Sequence, residues 1–131
     1  DKPIFKIVQF NKLVANSNYD KIENWIKSDL KDVDIFVFQE ANKELVETVT
    51  NLKKQFPFQI HEPRDHAFGM IILSKHPFEN SEKININGPY ADNFGINISV
   101  EKKDFKNKVD LFTNMACFFK SFPIWNYANT N

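Results

Sequence analysis

The chain has 131 residues, of which 42% are hydrophobic, and its charged side chains cancel to a formal net charge of zero. This length fits one domain of ordinary size with its own core, and no apolar run approaches the roughly 18 residues of a membrane span. The neutral charge, with Arg64 as the sole arginine, argues against a dedicated DNA-reading module.

The N-terminal third predicts a strand, a helix and a second strand. The apolar and β-branched residues 4–10 predict a central strand that ends at Asn11. From Tyr19 to Leu30, apolar residues recur at spacings of three and four, which predicts an amphipathic helix. The short run 35–38 is continuously apolar, as in strands buried on both faces. This order predicts a right-handed crossover with parallel strands.

The remainder predicts one more helix and several strands. The helix runs from Lys43 to Gln55 and is ended by Phe56-Pro57. The strand candidates are Phe58–His61, Gly69–Leu73, Phe94–Val100 and Val109–Thr113. The polar stretch Ser81–Asn93 predicts a loop, and the aromatic tail Cys117–Tyr127 is left without an assignment. No linker is visible, so residues 1–131 are treated as a single domain.

Polar residues follow the first two predicted strands at the point where each one ends. Asn11 ends the first strand, and Gln39 and Glu40 end the second. Ligands bind at the carboxyl edge of parallel strands, and a carboxylate offers hard oxygen ligands suited to Mg²⁺ or Mn²⁺. The pattern alone leaves an alternative open, in which Gln39 and Glu40 only terminate a strand and cap the next helix.

Four segments, in order, resemble motifs of the endonuclease/exonuclease/phosphatase (DNase I-like) family. Lys6–Asn11 (KIVQFN) is similar to the family's opening strand, and Val33–Glu40 (VDIFVFQE) to its second motif. Phe56–Phe58 (FPF) and Phe68–Phe78 (FGMIILSKHPF) are similar to two later segments. The resemblance covers residues 4–78 and fades after about Asn114.

The resemblance implies an α/β (in some schemes α+β) fold: an incomplete four-layer DNase I-like sandwich, whose mixed sheet carries two helices on one face. It implies a Mg²⁺- or Mn²⁺-dependent phosphoesterase that hydrolyses phosphate esters, with nucleic acid among the candidate substrates. Glu40 would bind the metal, and Asn11 would bind the phosphate or the attacking water. Arg64 would lie near the substrate rim, although a solvated loop with an Arg64–Glu62 or Arg64–Asp65 ion pair is the alternative.

The departures from the family pattern limit this expectation. The family's later Asp-x-Asn motif and its C-terminal Asp-His pair are not found, and Thr113–Ala116 lacks the histidine that many members have there. The chain therefore resembles the N-terminal half of a truncated domain, which we expect to be inactive or very weak alone. A non-catalytic binding or oligomerisation module with the same fold is the alternative.

Further expectations concern the inner face of the sheet, three single residues and the compartment. The missing half would leave the inner sheet face uncovered, so that the aromatic tail or a second copy in a homodimer would have to cover it. Gly69 is expected to meet a backbone demand, Trp25 to belong to the core, and His76 to be a surface turn residue. The compartment stays open, with a slight preference for the cytoplasm.

Overall fold

A computed structural model describes residues 5–12, 16–85, 94–103 and 109–113 in full, together with the backbone of 117–119 and 124–129. Within this part of the chain, two helices and nine strands follow one another. In chain order they are β1 (Phe5–Asn11), α1 (Tyr19–Asp29), β2 (Ile35–Gln39), α2 (Lys43–Thr50), β3 (Phe58–Glu62), β4 (Met70–Ser74), β5 (Phe78–Asn85), β6 (Phe94–Val100), β7 (Val109–Thr113), β8 (Cys117–Phe119) and β9 (Ile124–Asn129).

The strands form two sheets. The first has the order β3-β4-β2-β1-β9, and the second has the order β5-β6-β7-β8. In the first sheet β1 runs parallel to β2 and β9, while β4 runs antiparallel to β2 and β3. The second sheet is antiparallel throughout its described pairings. The predicted parallel crossover β1–α1–β2 and the mixed sheet are confirmed.

The two helices pack on one face of the first sheet, as predicted. Buried side chains of α1 and α2 meet alternate residues of β1 and β2, because successive strand residues point to opposite faces. The members of this core from those elements are Ile22, Ile26, Leu45, Val49, Val8, Phe10, Phe36 and Phe38. Trp25 is partly buried against the same core, so its predicted core position is confirmed.

The other face of the first sheet packs against the second sheet. This inter-sheet core draws Phe5, Ile7, Ile35, Val37, Met70 and Ile72 from the first sheet, and Phe94, Ile96, Ile98, Val100, Val109 and Leu111 from the second. The expectation of an uncovered inner face is therefore wrong, because β5–β7 of the same chain supply the cover. The homodimer was predicted because that face was expected to be uncovered, so this reason for a dimer no longer applies.

The predicted loop Ser81–Asn93 is wrong in its first part, because β5 extends through Asn85. This strand lies at the edge of its sheet and is largely exposed, so no apolar alternation marks it in the sequence. Antiparallel pairing with β6 supplies its backbone hydrogen bonds. Helix α2 ends at Thr50 rather than Gln55, and turns continue from there to Gln55.

Asp34 is a buried anchor at the end of the first sheet opposite to Asn11. Its carboxylate accepts hydrogen bonds from the Lys6 backbone N–H at 2.8 Å and from Lys102 Nζ at 3.2 Å, and it pairs with His76 Nε2 at 2.7 Å. Burial raises the pKa of Asp34, but these bonds and the Lys102 charge outweigh burial and lower it overall. His76 lies in the bend after β4, as the predicted turn position requires, but its ring is half-buried rather than on the surface, because its Nε2 contacts Asp34 Oδ1.

In the part of the chain that the structure describes, neither α1 nor α2 is long and apolar enough to cross a membrane. The strand bounds predicted for β6 and β7 are confirmed, and those of β3 and β4 differ by one residue. The predicted tail, Cys117–Tyr127, contains β8 and part of β9, and its side chains lie outside the described residues.

Candidate functional site at the carboxyl edge of β1 and β2

The parallel pairing of β1 and β2 brings the two predicted site residues to one edge. Asn11 is level with Gln39 in the register, and Glu40 is the next residue along the chain. The ladder continues one step further, because the Lys12 backbone N–H donates to the Gln39 carbonyl at 3.1 Å. The ends of the two strands are therefore fixed relative to each other by backbone hydrogen bonds.

Asn11 and Glu40 line one cleft of about 120 Å³. Its other walls are Gln39 and residues 67–70, which lead into β4. The sequence places Asn11 and Glu40 29 positions apart, and the structure brings them together. The catalytic and metal-binding roles of these two residues stay predictions.

Glu40 has a left-handed backbone conformation, with φ of 57°. For a residue with a side chain this conformation costs about 1–2 kcal/mol, so the surrounding structure must hold it. Two hydrogen bonds fix the next residue: the Ala41 N–H donates to the Gly69 carbonyl, and the Arg64 N–H donates to the Ala41 carbonyl, both at 3.1 Å. Backbone strain of this kind is concentrated at functional sites.

Gly69 is required for this arrangement because the two backbones approach very closely. A Cβ added at Gly69 would lie 1.9 Å from the Ala41 carbonyl oxygen and 2.7 Å from the Arg64 backbone nitrogen. The prediction that Gly69 meets a backbone demand is confirmed. The close approach of Gly69 to the Ala41 carbonyl affects the site directly, because Ala41 is the residue after Glu40.

Lys12 is a buried cation beside the site that the sequence analysis missed. Its side chain is fully buried, its Nζ donates to the Asn16 carbonyl at 2.8 Å, and it lies 5.5 Å from the centre of the Tyr19 ring. Burial lowers the pKa of Lys12, whereas the charges of Glu44 and Glu40 oppose this shift. The available signal in the sequence was the position of this lysine at the end of an apolar strand. A lysine that is buried there needs a partner, because Lys is almost never fully buried unless it is paired.

The N-terminus of α2 is capped by Asn42, not by Gln39 or Glu40. The Asn42 Oδ1 accepts from the Leu45 backbone N–H at 3.0 Å, and its side chain also hydrogen-bonds the Tyr19 hydroxyl. The alternative in which Gln39 and Glu40 cap this helix is therefore wrong. Glu40 is left at the rim of the cleft without that structural role.

Arg64 makes the local ion pair that the sequence allowed. Its Nη1 lies 3.4 Å from Glu62 Oε1 and donates to the Pro63 carbonyl at 2.9 Å, while the guanidinium lies 4.7 Å from the centre of the Phe94 ring. Arg64 borders a separate cleft of about 460 Å³ beside the start of α2. The structure does not bring it to the cleft of Asn11 and Glu40, so a contact with phosphate stays a prediction.

The oxygen ligands that the cleft offers suit Mg²⁺ better than a metal ion whose ligands must all come from the protein. Among the described residues, no three His, Cys, Asp or Glu side chains cluster as ligands. The cleft offers the Glu40 carboxylate and the amide groups of Asn11 and Gln39. Mg²⁺ is commonly held by one or two carboxylates, while water and substrate phosphates complete its shell. The residues present therefore fit part of a Mg²⁺ site.

Solved structures of TDP2 share this fold. The D. rerio TDP2 complexed with single-strand DNA product matches with a TM-score of 0.65 and 19% identity, over 82% of this chain and 44% of that chain. Truncated C. elegans TDP2 matches with a TM-score of 0.66 and 15% identity, over 82% and 44%. A humanised D. rerio TDP2 carrying 14 mutations matches with 0.66 and 18%, over 82% and 45%.

These matches define the class of fold. The chain has the DNase I-like fold of these TDP2 structures, and this fold is the one that its motifs predicted. It spans less than half of the length of these solved structures. No protein-family profile matches the chain, and no curated protein sequence is significantly similar to it.

Proposed function

We propose that this chain forms part of a Mg²⁺-dependent phosphoesterase site that acts on phosphodiesters of single-stranded nucleic acid. One observation carries the proposal: Asn11 and Glu40 line a single cleft at the carboxyl edge of adjacent parallel strands. In open α/β sheets this edge is where ligands bind. The left-handed conformation of Glu40 supports it, because the fold holds an acidic side chain there against a backbone penalty.

Each residue has a distinct task in this proposal. The Glu40 carboxylate holds the divalent ion at the rim, and its position is set by the Ala41–Gly69 and Ala41–Arg64 hydrogen bonds. The Asn11 amide can donate a hydrogen bond to a phosphate oxygen and accept one from the attacking water. When bound, the ion supplies positive charge that stabilises the developing charge on the phosphoryl oxygens.

The substrate class rests on the fold and on one neighbour. The D. rerio TDP2 with this fold was solved with a single-strand DNA product. The neutral charge of this chain means that non-specific attraction to nucleic acid is weak, and Arg64 is occupied by Glu62 and Pro63. We therefore expect a substrate held mainly through the phosphate at the cleft.

The chain alone is expected to bind the ion but to turn over little substrate. One carboxylate and one amide can hold an ion and orient a phosphate, but they do not supply a general base and a leaving-group acid as well. Turnover of bis(p-nitrophenyl) phosphate that is lost on Glu40→Ala would show that the chain is active alone and would contradict this part of the proposal.

Calorimetric titration with Mg²⁺ and Mn²⁺ tests the proposed metal site. Wild-type protein should bind one ion, Glu40→Gln should lose binding at least about tenfold, and Glu44→Gln should not. Glu44 is the matched control because it is an exposed carboxylate near the same edge that lines the other cleft. No binding by the wild type would favour the non-catalytic module, and equal losses in both variants would indicate general electrostatics.

A further inference from the structure

Two buried polar atoms in the inter-sheet region have no hydrogen-bond partner among the described residues. They are Gln9 Oε1 on β1 and Thr113 Oγ1 at the end of β7. Thr113 is completely buried. A buried polar group without a partner costs about 1–3 kcal/mol, and nearly all such groups in native proteins are satisfied by protein, water or ligand.

Gln9 lies on the same face of β1 as Asn11. Phe5 and Ile7 belong to the inter-sheet core, so the alternation along the strand directs Gln9 and Asn11 to that side as well. Two residues along a strand span about 6.6 Å. Gln9 therefore lies two residues before Asn11 on β1, on the face of the strand that packs against the second sheet.

Thr113 is the last residue of β7 and lies on the face of the second sheet that packs against the first. It follows Val109 and Leu111 on the inward face of β7 and pairs with Ile96. Ile96 is two residues from Phe94, whose ring meets the Arg64 guanidinium. Because the Arg64 backbone is bonded to Ala41, this end of the second sheet lies on the same side as Glu40.

The chemistry of the two atoms restricts what could satisfy them. An amide oxygen only accepts hydrogen bonds, so an ionised phosphate, which offers acceptors, cannot satisfy Gln9. Water molecules on a divalent cation are strong donors, and Mg²⁺ usually keeps several of them. A hydrated cation at Glu40 would present water donors to both oxygens.

We propose that Gln9 and Thr113 support the Asn11–Glu40 site from the inter-sheet side, behind the residues that line the cleft, and accept hydrogen bonds from water molecules of a hydrated divalent cation. This inference rests on the proposed function, because it takes Glu40 as the metal ligand. It assigns to Gln9 and Thr113 a positioning role through water rather than direct coordination. Removal of such supporting partners typically lowers metal affinity by about 10- to 100-fold.

The test replaces each orphaned group by an apolar side chain of similar size, as Gln9→Met and Thr113→Val. Urea unfolding without added ion should show that both variants are at least as stable as the wild type, because an unsatisfied group has been removed. Calorimetric titration with Mg²⁺ should show affinity about 10- to 100-fold weaker. Gln9→Glu keeps an acceptor and should bind Mg²⁺ at least as tightly as the wild type.

Gln59→Met and Thr48→Val are the matched controls, since both side chains already have partners. Gln59 Nε2 donates to the Val49 and Phe56 carbonyls, and Thr48 Oγ1 donates to the Glu44 carbonyl. Both variants should keep their Mg²⁺ affinity, and Gln59→Met should lose stability because it removes two hydrogen bonds to backbone carbonyls. The opposite pattern in Gln9→Met and Thr113→Val is therefore diagnostic.

The outcomes separate this inference from the proposed function. If Gln9→Met and Thr113→Val lose stability or fail to fold, or keep their Mg²⁺ affinity, the two groups serve the fold through an ordinary buried water. The inference is then overturned, although the proposed function survives provided Glu40→Gln still loses the ion. If the wild type binds no divalent ion, both proposals are overturned.

Discussion

Gly69→Ala should damage both the stability of the chain and the position of Glu40. The new Cβ would lie 1.9 Å from the Ala41 oxygen and 2.7 Å from the Arg64 nitrogen, and both are backbone atoms that cannot rotate away. Relief requires the two segments to separate, which breaks the Ala41–Gly69 and Arg64–Ala41 hydrogen bonds. At about 1 kcal/mol for each bond plus the strain of the shift, we expect a loss of roughly 2–4 kcal/mol.

Urea unfolding gives this loss directly, and a thermal melt should fall by about 3–5 °C per kcal/mol for a chain of this size. Gly95→Ala is the matched control, because its Cβ would first meet the tip of the Phe112 side chain at 2.4 Å, and a side chain can move. Its loss should be clearly smaller. Wild-type stability together with unchanged Mg²⁺ affinity in Gly69→Ala would refute the proposed link between this close approach and the site.

Three further predictions concern Asp34, Asn42 and Glu40. The lowered pKa of Asp34 means that its contribution to stability is present above the unfolded pKa of about 3.9. That contribution is lost as pH falls through the folded pKa, so Asp34→Asn should flatten the acid limb of a plot of unfolding free energy against pH. Asn42→Ala removes the bond to the Leu45 N–H and should cost about 1 kcal/mol in urea unfolding. Glu40→Gly should relieve the left-handed strain, raising unfolding stability by up to about 1 kcal/mol while calorimetry shows no divalent binding.

The first sheet and the site edge were predictable because local patterns coincide with their tertiary environment. The run 35–38 is apolar throughout because β2 is buried on both faces, and α1 shows helical spacing because one side packs on the sheet. Since parallel strands end at a common edge, the sequence alone places Asn11 and Glu40 together.

The features that escaped prediction depend on tertiary contacts that the local composition does not show. Edge strand β5 is exposed, and its strand state comes from pairing with β6, not from its own composition. His76 is drawn inward by Asp34, 42 residues earlier. Lys12 would be expected at the surface on composition alone, and its burial depends on the Asn16 carbonyl and the Tyr19 ring.

The carboxyl edge of β1 and β2 combines several features that lower the stability of the fold. Glu40 has a left-handed backbone, and Gln9 and Thr113 each bury an oxygen that has no hydrogen-bond partner within the described part of the chain. Each feature costs about 1–3 kcal/mol, which is large beside the 5–15 kcal/mol that stabilises a typical domain. Strand termination requires none of them, because a glycine at position 40 and apolar residues at positions 9 and 113 would satisfy the same fold. A hydrated cation at Glu40 would recover the loss at Gln9 and Thr113, so strain and unsatisfied groups at one edge are better explained by a binding site than by strand ends alone.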